Sequence, residues 1–169
     1  MRSLLLLTLM SLTAGAVSAQ SESAGQSGPR STLDRDPEIA LARSAAPDAV
    51  SETATVLVCT KDGYQVAVAG TGGVTCYVSR SWVESVEPHC FDEEASTTIL
   101  PMSLMTTEMR HAGATQEEID AVIAEGLRSG EFRLPARPAM SYMMSSAQVL
   151  YNDQGRLSRG HRARSLPRS

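Results

Sequence analysis

The sequence predicts an α+β domain: a small antiparallel sheet, a three-stranded meander joined by a fourth strand, with helices covering one face. Three observations lead there. Between Thr53 and Ser79, β-branched and apolar residues gather into short runs separated by glycine-rich turns, "KDG" and "GTGG". From Phe91 onward the apolar spacing changes to that of helices. The stretch from Gln20 to Thr32 and the C-terminal tail carry no apolar period.

Taken in order, "MRSLLLLTLMSLTAGAVSAQ" has one basic residue, Arg2, then an apolar run from Leu4 to Val17, and small residues Val17 and Ala19 around a cleavage point. It reads as a secretory signal peptide over residues 1–19, cut after Ala19. The run is interrupted by Thr8, Ser11 and Thr13, has no basic flank after it, and falls short of the roughly 18 apolar residues that a membrane span needs. The chain is therefore expected to be exported, periplasmic or extracellular, and without a stable membrane anchor. Residues 20–33, rich in Ser, Gly and Gln, read as a disordered leader, since they bury too little apolar surface to offset their ordering entropy.

The domain proper is predicted over residues 34–153. Its first element is a helix in "DPEIALARSAAP", capped by Asp36, with Pro37 in the first position, Glu38 at the positive end of the dipole, and Pro47 as the stop. Strands follow near Thr53–Thr60, Tyr64–Ala69 and Gly73–Ser79. The glycines of "GTGG" do not cradle a phosphate, because no Lys-Ser or Lys-Thr pair follows them and the next element is a strand. "FDEEASTTIL" and "PMSLMTTEMRHAG" read as two helices meeting at Pro101, which can open a helix but not sit inside one. "TQEEIDAVIAEGLRSG" is a clearer helix: Thr115 and Glu118 form a capping box, Ile119, Val122, Ile123 and Leu127 share a face, and Gly130 ends it. Pro135 and Pro138 mark a loop, and Ala139 to Ser145 is expected to add a strand to the sheet.

With two Phe, four Tyr and one Trp, the core is expected to be small and aliphatic, filled by Val, Ile, Leu, Ala and Met. Three cysteines in an exported chain predict one oxidised pair and one odd residue. Cys59, Cys76 and Cys90 allow three pairings. Cys76 with Cys90 is favoured, because the polar, Pro-containing stretch between them can fold back, whereas Cys59 lies in a buried-type β run.

No catalytic constellation emerges. G-x-S-x-G, S-x-x-K and H-E-x-x-H are all absent, and His89 cannot easily bring its ring onto the sulfur of its neighbour Cys90. Asp92, Glu93 and Glu94 read as a helix N-terminus meeting its own dipole rather than as a paired-carboxylate site. Soft thioethers raise one metal alternative: Met102, Met105 and Met109, with His111 close behind, have a spacing that can hold Cu(I), and Met140, Met143 and Met144 form a second group. Core packing by methionine accounts for the same spacing, so no cofactor or metal is assigned.

The segments "IALARSAAP", "ATVLV", "DGYQVAV", "VTCYVSRSW", "CFD", "AMSYMMSS" and "YND", in that order, resemble a family of small exported bacterial proteins of unknown function, over about residues 35–153. Members of that family continue into a Gly-His-Trp-His-Pro-His stretch, of which only Gly160 and His161 stand here before "RARSLPRS". The resemblance implies export and no particular activity.

Residues 154–169 read as a basic, disordered tail. Gly155 to Ser169 hold five Arg and no acid, against nine basic and 19 acidic residues over 20–154. No aromatic accompanies those charges, and an exported chain rarely meets nucleic acid, so no nucleic-acid partner is expected. The sequence thus predicts a non-catalytic exported binding or envelope-associated protein, with periplasmic Cu(I) handling as the alternative. It leaves ligand and oligomeric state open.

Overall fold

The computed structural model describes residues 33–82, 84–152 and 156–158. The signal-peptide reading, most of the leader and most of the basic tail lie outside the described residues. Eleven elements follow in the order α1 (Arg35–Arg43), α2 (Asp48–Ser51), β1 (Thr55–Thr60), β2 (Gly63–Val68), β3 (Thr75–Ser79), β4 (Glu87–Phe91), α3 (Glu93–His111), α4 (Gln116–Ser129), β5 (Ser141–Tyr142), β6 (Leu150–Tyr151) and β7 (Leu157–Ser158). The class is α+β, as the sequence predicts. Strands β1 to β5 form one sheet in the order β2-β1-β3-β4-β5, and β6 pairs with β7.

The sheet is mixed rather than a meander. β1 and β2 form the expected hairpin around Lys61 and Asp62, with Gly63 at φ 103°. β3 then pairs with β1 in parallel, Thr55 opposite Thr75 and Val56 opposite Cys76. The "GTGG" segment is therefore a crossover and not a turn between neighbours. It passes so close over the start of β1 that a Cβ on Gly70 would fall 2.2 Å from the Thr55 nitrogen. The Thr71 and Gly72 amides both donate to the Thr53 carbonyl, which pins the crossing down.

β4 occupies a stretch that reads as loop in the sequence, because it contains Pro88. The proline is tolerated for a reason visible in the ladder. Val86 and Asp92 donate their amides away from β3, to the Val149 and Met140 carbonyls. Pro88 shares their parity, so its missing N–H points to the same side, where β5 reaches only Cys90 and Phe91. The β3–β4 ladder loses nothing. Cys76 faces Cys90 directly across it, and the two are disulfide-bonded with their Cα atoms 4.0 Å apart. Cys59 is buried and not part of a disulfide.

Helices lie on both faces of the sheet, not on one. Against one face, α1 and the turn after it bring Ala42, Ala45 and Ala46 onto Val56, Cys76, Val78 and Cys90. Against the other, α3 brings Ala95 and Leu100 onto Leu57, Tyr77 and Phe91. Alternation along β3 and β4 demands two covers, since successive residues on both strands are buried.

Three helix boundaries differ from the sequence prediction. α1 begins earlier, with Asp34 at its N-cap, so that Pro37 falls third in the first turn, where no intrahelical N–H is needed. It ends at Arg43, and Pro47 caps α2 instead. α3 runs unbroken through Pro101, whose side chain is exposed. Ala95 and Leu100 before the proline and Thr107 after it are all buried, so packing on both sides holds the axis together despite the lost hydrogen bond. α4 matches its prediction, with the Thr115–Glu118 capping box formed and Gly130 left-handed at φ 82°.

Candidate functional site

A cleft of about 400 Å³ opens between the β3–β4 face and the helices α3 and α4. It arises because strand alternation sends Tyr77 and Ser79 of β3, and Glu87, His89 and Phe91 of β4, to the same side. Ser81 follows at the end of β3. The opposite wall is Ile99, Met102, Ser103, Thr106 and Thr107 of α3, with Ile123 of α4. The lining is aromatic at Tyr77 and Phe91 and carries the hydroxyls of Ser79, Ser81, Ser103, Thr106 and Thr107. The lining holds one carboxylate and no Lys or Arg.

His89 is fixed on several sides. Its ring stacks on Tyr77 with centroids 5.6 Å apart and planes 22° from parallel, and it meets Phe91 at 5.4 Å. Its Nδ1 lies 3.0 Å from the Ser141 hydroxyl oxygen. Its Nε2 lies 3.9 Å from Oε2 of Glu87, beyond hydrogen-bonding length. The other Glu87 oxygen accepts from the Ser81 hydroxyl at 2.6 Å. Both side chains are largely but not wholly covered, at 13% and 12% exposed. Burial pushes the Tyr77 phenol above its ordinary range, so it enters the site as a neutral hydroxyl.

The acidic run at the start of α3 organises the wall next to His89. Asp92 caps the helix by accepting from the Ala95 amide at 2.8 Å, and its second oxygen accepts from the Met140 amide at 3.0 Å. Glu94 accepts from the Ala136 amide at 2.7 Å and pairs with Arg137 at 2.9 Å. Those contacts hold the Glu94 carboxyl below its ordinary value, the Ala136 amide first. The dipole reading of these acids thus accounts for half of what they do. They also tie down the segment leading to Ser141.

A second polar group lies on the α1 face. Arg80 Nη2 meets Glu38 Oε2 at 2.6 Å, with the two side chains 2% and 1% exposed. Burial pushes the Glu38 carboxyl above its ordinary value, while the Arg80 guanidinium draws it back. The sequence prediction placed Glu38 at the helix dipole only. Its position one turn before the buried Ala42 was the signal that it faces the core and needs a partner.

Of the residues of the Cu(I) alternative, Met102, Met105 and Met109 share one face of α3, while His111 stands away from them. Met102 lines the cleft, and Met105 and Met109 are half-buried along α3. His111 comes nine residues after Met102, which at about 100° per residue puts it on the opposite side of the helix. Its Nε2 donates to the Arg80 carbonyl at 2.8 Å. Of the second methionine group, Met140 is 49% and Met144 66% exposed. Among the described residues no three His, Cys, Asp or Glu gather as a metal site. Neither dyad partner of the His89–Cys90 pair is available to the other, since Cys90 is oxidised and points to the opposite face. Comparison with family models, with curated proteins and with solved structures gives no match to this chain.

Proposed function

We propose that this is an exported, non-catalytic binding protein that takes a small ligand into the cleft between β3, β4, α3 and α4. The cleft carries the reading. Its volume lies within the range of small-molecule sites, and its lining combines aromatic rings with a few placed polar groups. In the cleft, among the described residues, His89 is not backed by an orienting acid, because its 3.9 Å separation from Glu87 breaks that relay. Export is supported by the apolar leader sequence and by the Cys76–Cys90 disulfide, a bond that persists in oxidising compartments. No helix among the described residues is long and apolar enough to cross a membrane. The resemblance to small exported bacterial proteins points the same way.

Two measurements test this reading. Intact mass of the protein exported from a bacterial host should correspond to a chain starting at Gln20, and retention of Leu4 to Val17 would overturn export. Saturation-transfer NMR against a panel of small amines, alcohols, carboxylates and sugars should show binding by at least one class. Thr106→Trp, which fills the cleft from its helical wall, should abolish that binding. Binding that survives the filled cleft, or none by any class at millimolar concentration, would overturn the cleft reading.

A further inference from the structure

Resting on the cleft as the binding site, we propose that its ligand is a small primary amine with an apolar body, held as the ammonium ion by Glu87 and His89. The argument begins with what the cleft offers a guest. Glu87 Oε2 receives no hydrogen bond among the described residues, while its twin oxygen is already taken by Ser81. When His89 donates from Nδ1 to the Ser141 hydroxyl 3.0 Å away, its Nε2 presents a lone pair beside that free carboxylate oxygen. Two acceptors then stand 3.9 Å apart, too far to bond each other and well placed for one group to bridge. A group that donates twice from a single atom and carries positive charge satisfies both.

Electrostatics selects the same guest. The lining has the Glu87 carboxylate and no Lys or Arg, so beside a neutral His89 an anion would meet uncompensated charge and a cation its complement. The rings of Tyr77 and Phe91 add apolar, polarisable surface to the lining. Ile99, Met102 and Ile123 supply an apolar wall that water does not satisfy, which fits a hydrocarbon or aromatic body behind the charged end. A plain hydroxyl would instead suit the other histidine tautomer, with Nε2–H donating and Glu87 accepting, and it supplies the contrast for the test.

The experiment measures the affinity of phenethylamine, 2-phenylethanol and 3-phenylpropionate for the whole chain by chemical-shift titration. The amine should bind at least about tenfold more tightly than the alcohol, and the carboxylate weakest, because a charge-assisted hydrogen bond distinguishes them. Glu87→Gln, nearly isosteric, should erase the preference for the amine over the alcohol while leaving alcohol binding in place. Equal binding of amine and alcohol, lost in Thr106→Trp, would overturn the amine assignment and leave the cleft as a site for neutral ligands. Amine binding that is unchanged in Glu87→Gln would overturn the assignment as well. Binding by none of the three probes would overturn it, and the wider panel would then decide the fate of the cleft.

Discussion

The two faces of the central sheet solve the same packing problem with opposite materials. Under α1 the buried side chains are small: Ala42, Ala45, Ala54, Val56 and Val78 are each fully covered. Alanine lets a helix approach a sheet closely, and the Cys76–Cys90 bond fills the middle of that face. Under α3 the buried groups are Tyr77, Phe91, Leu57 and Leu100, and rings packed against a serine- and threonine-bearing helix leave a cleft of about 400 Å³. The polar groups follow the same division. On the α1 face Glu38 and Arg80 close on each other and are shut from water, while on the α3 face Glu87 and His89 stand apart and partly open. A polar pair shut from water can only hold the fold together, and one left partly open has hydrogen bonds to offer a guest.

The largest effect that would break this comparison lies in the closed pair. Arg80→Met should cost about 3–5 kcal/mol, because it strands the Glu38 carboxylate in the core, and the Glu38→Leu, Arg80→Met double variant should recover much of that loss. Chemical denaturation reads both. A single variant as stable as the parent would mean that the pair is not buried as described.

Next in size is the disulfide. Replacing Cys76 and Cys90 together by Ala should cost about 3 kcal/mol, from a closed loop spanning 14 residues in separation, and should leave ligand binding in the folded protein unchanged. Loss of binding by folded protein would show that the two faces are coupled, against the division drawn above.

Smaller, but sharper, is the pH dependence. Glu38 has its carboxyl raised above 4.5 by burial, so the folded state holds its proton more tightly than the unfolded chain. Its contribution is fully present below 4.5 and is lost as pH rises through the raised value. Glu94 has its carboxyl lowered from 4.5 by the Ala136 amide and Arg137, so its contribution is present above 4.5 and is lost as pH falls through the lowered value. Unfolding midpoints across pH 2 to 8 should lose the first slope in Glu38→Gln and the second in Glu94→Gln. A single slope removed by either variant would contradict the assignment of opposite signs.

Much of this architecture was legible in the chain, and the rest was hidden for identifiable reasons. α4 announces itself because its capping box and its left-handed Gly130 are local signals, as is the Lys61-Asp62-Gly63 turn. β4 was obscured by Pro88, whose harmlessness depends on which neighbour lies beside it in the ladder. The crossover was obscured because Gly70 serves a close approach to Thr55, a contact no local turn rule encodes. α3 hid its continuity behind Pro101, where packing overrides a local preference. The candidate site suffered most: Glu87, His89 and Phe91 share a face only once the stretch is known to be a strand. Until then His89 is one of three scattered histidines.

Chemical-shift mapping of the bound phenethylamine probe tests most directly the claim that stability and binding are divided between the faces. The account predicts perturbed amides at Tyr77, Ser79, Glu87 and His89 and along α3 from Met102 to Thr107, with α1 unmoved. Perturbations centred on Ile39 to Ala46 instead, with the β3–β4 cleft silent, would contradict it.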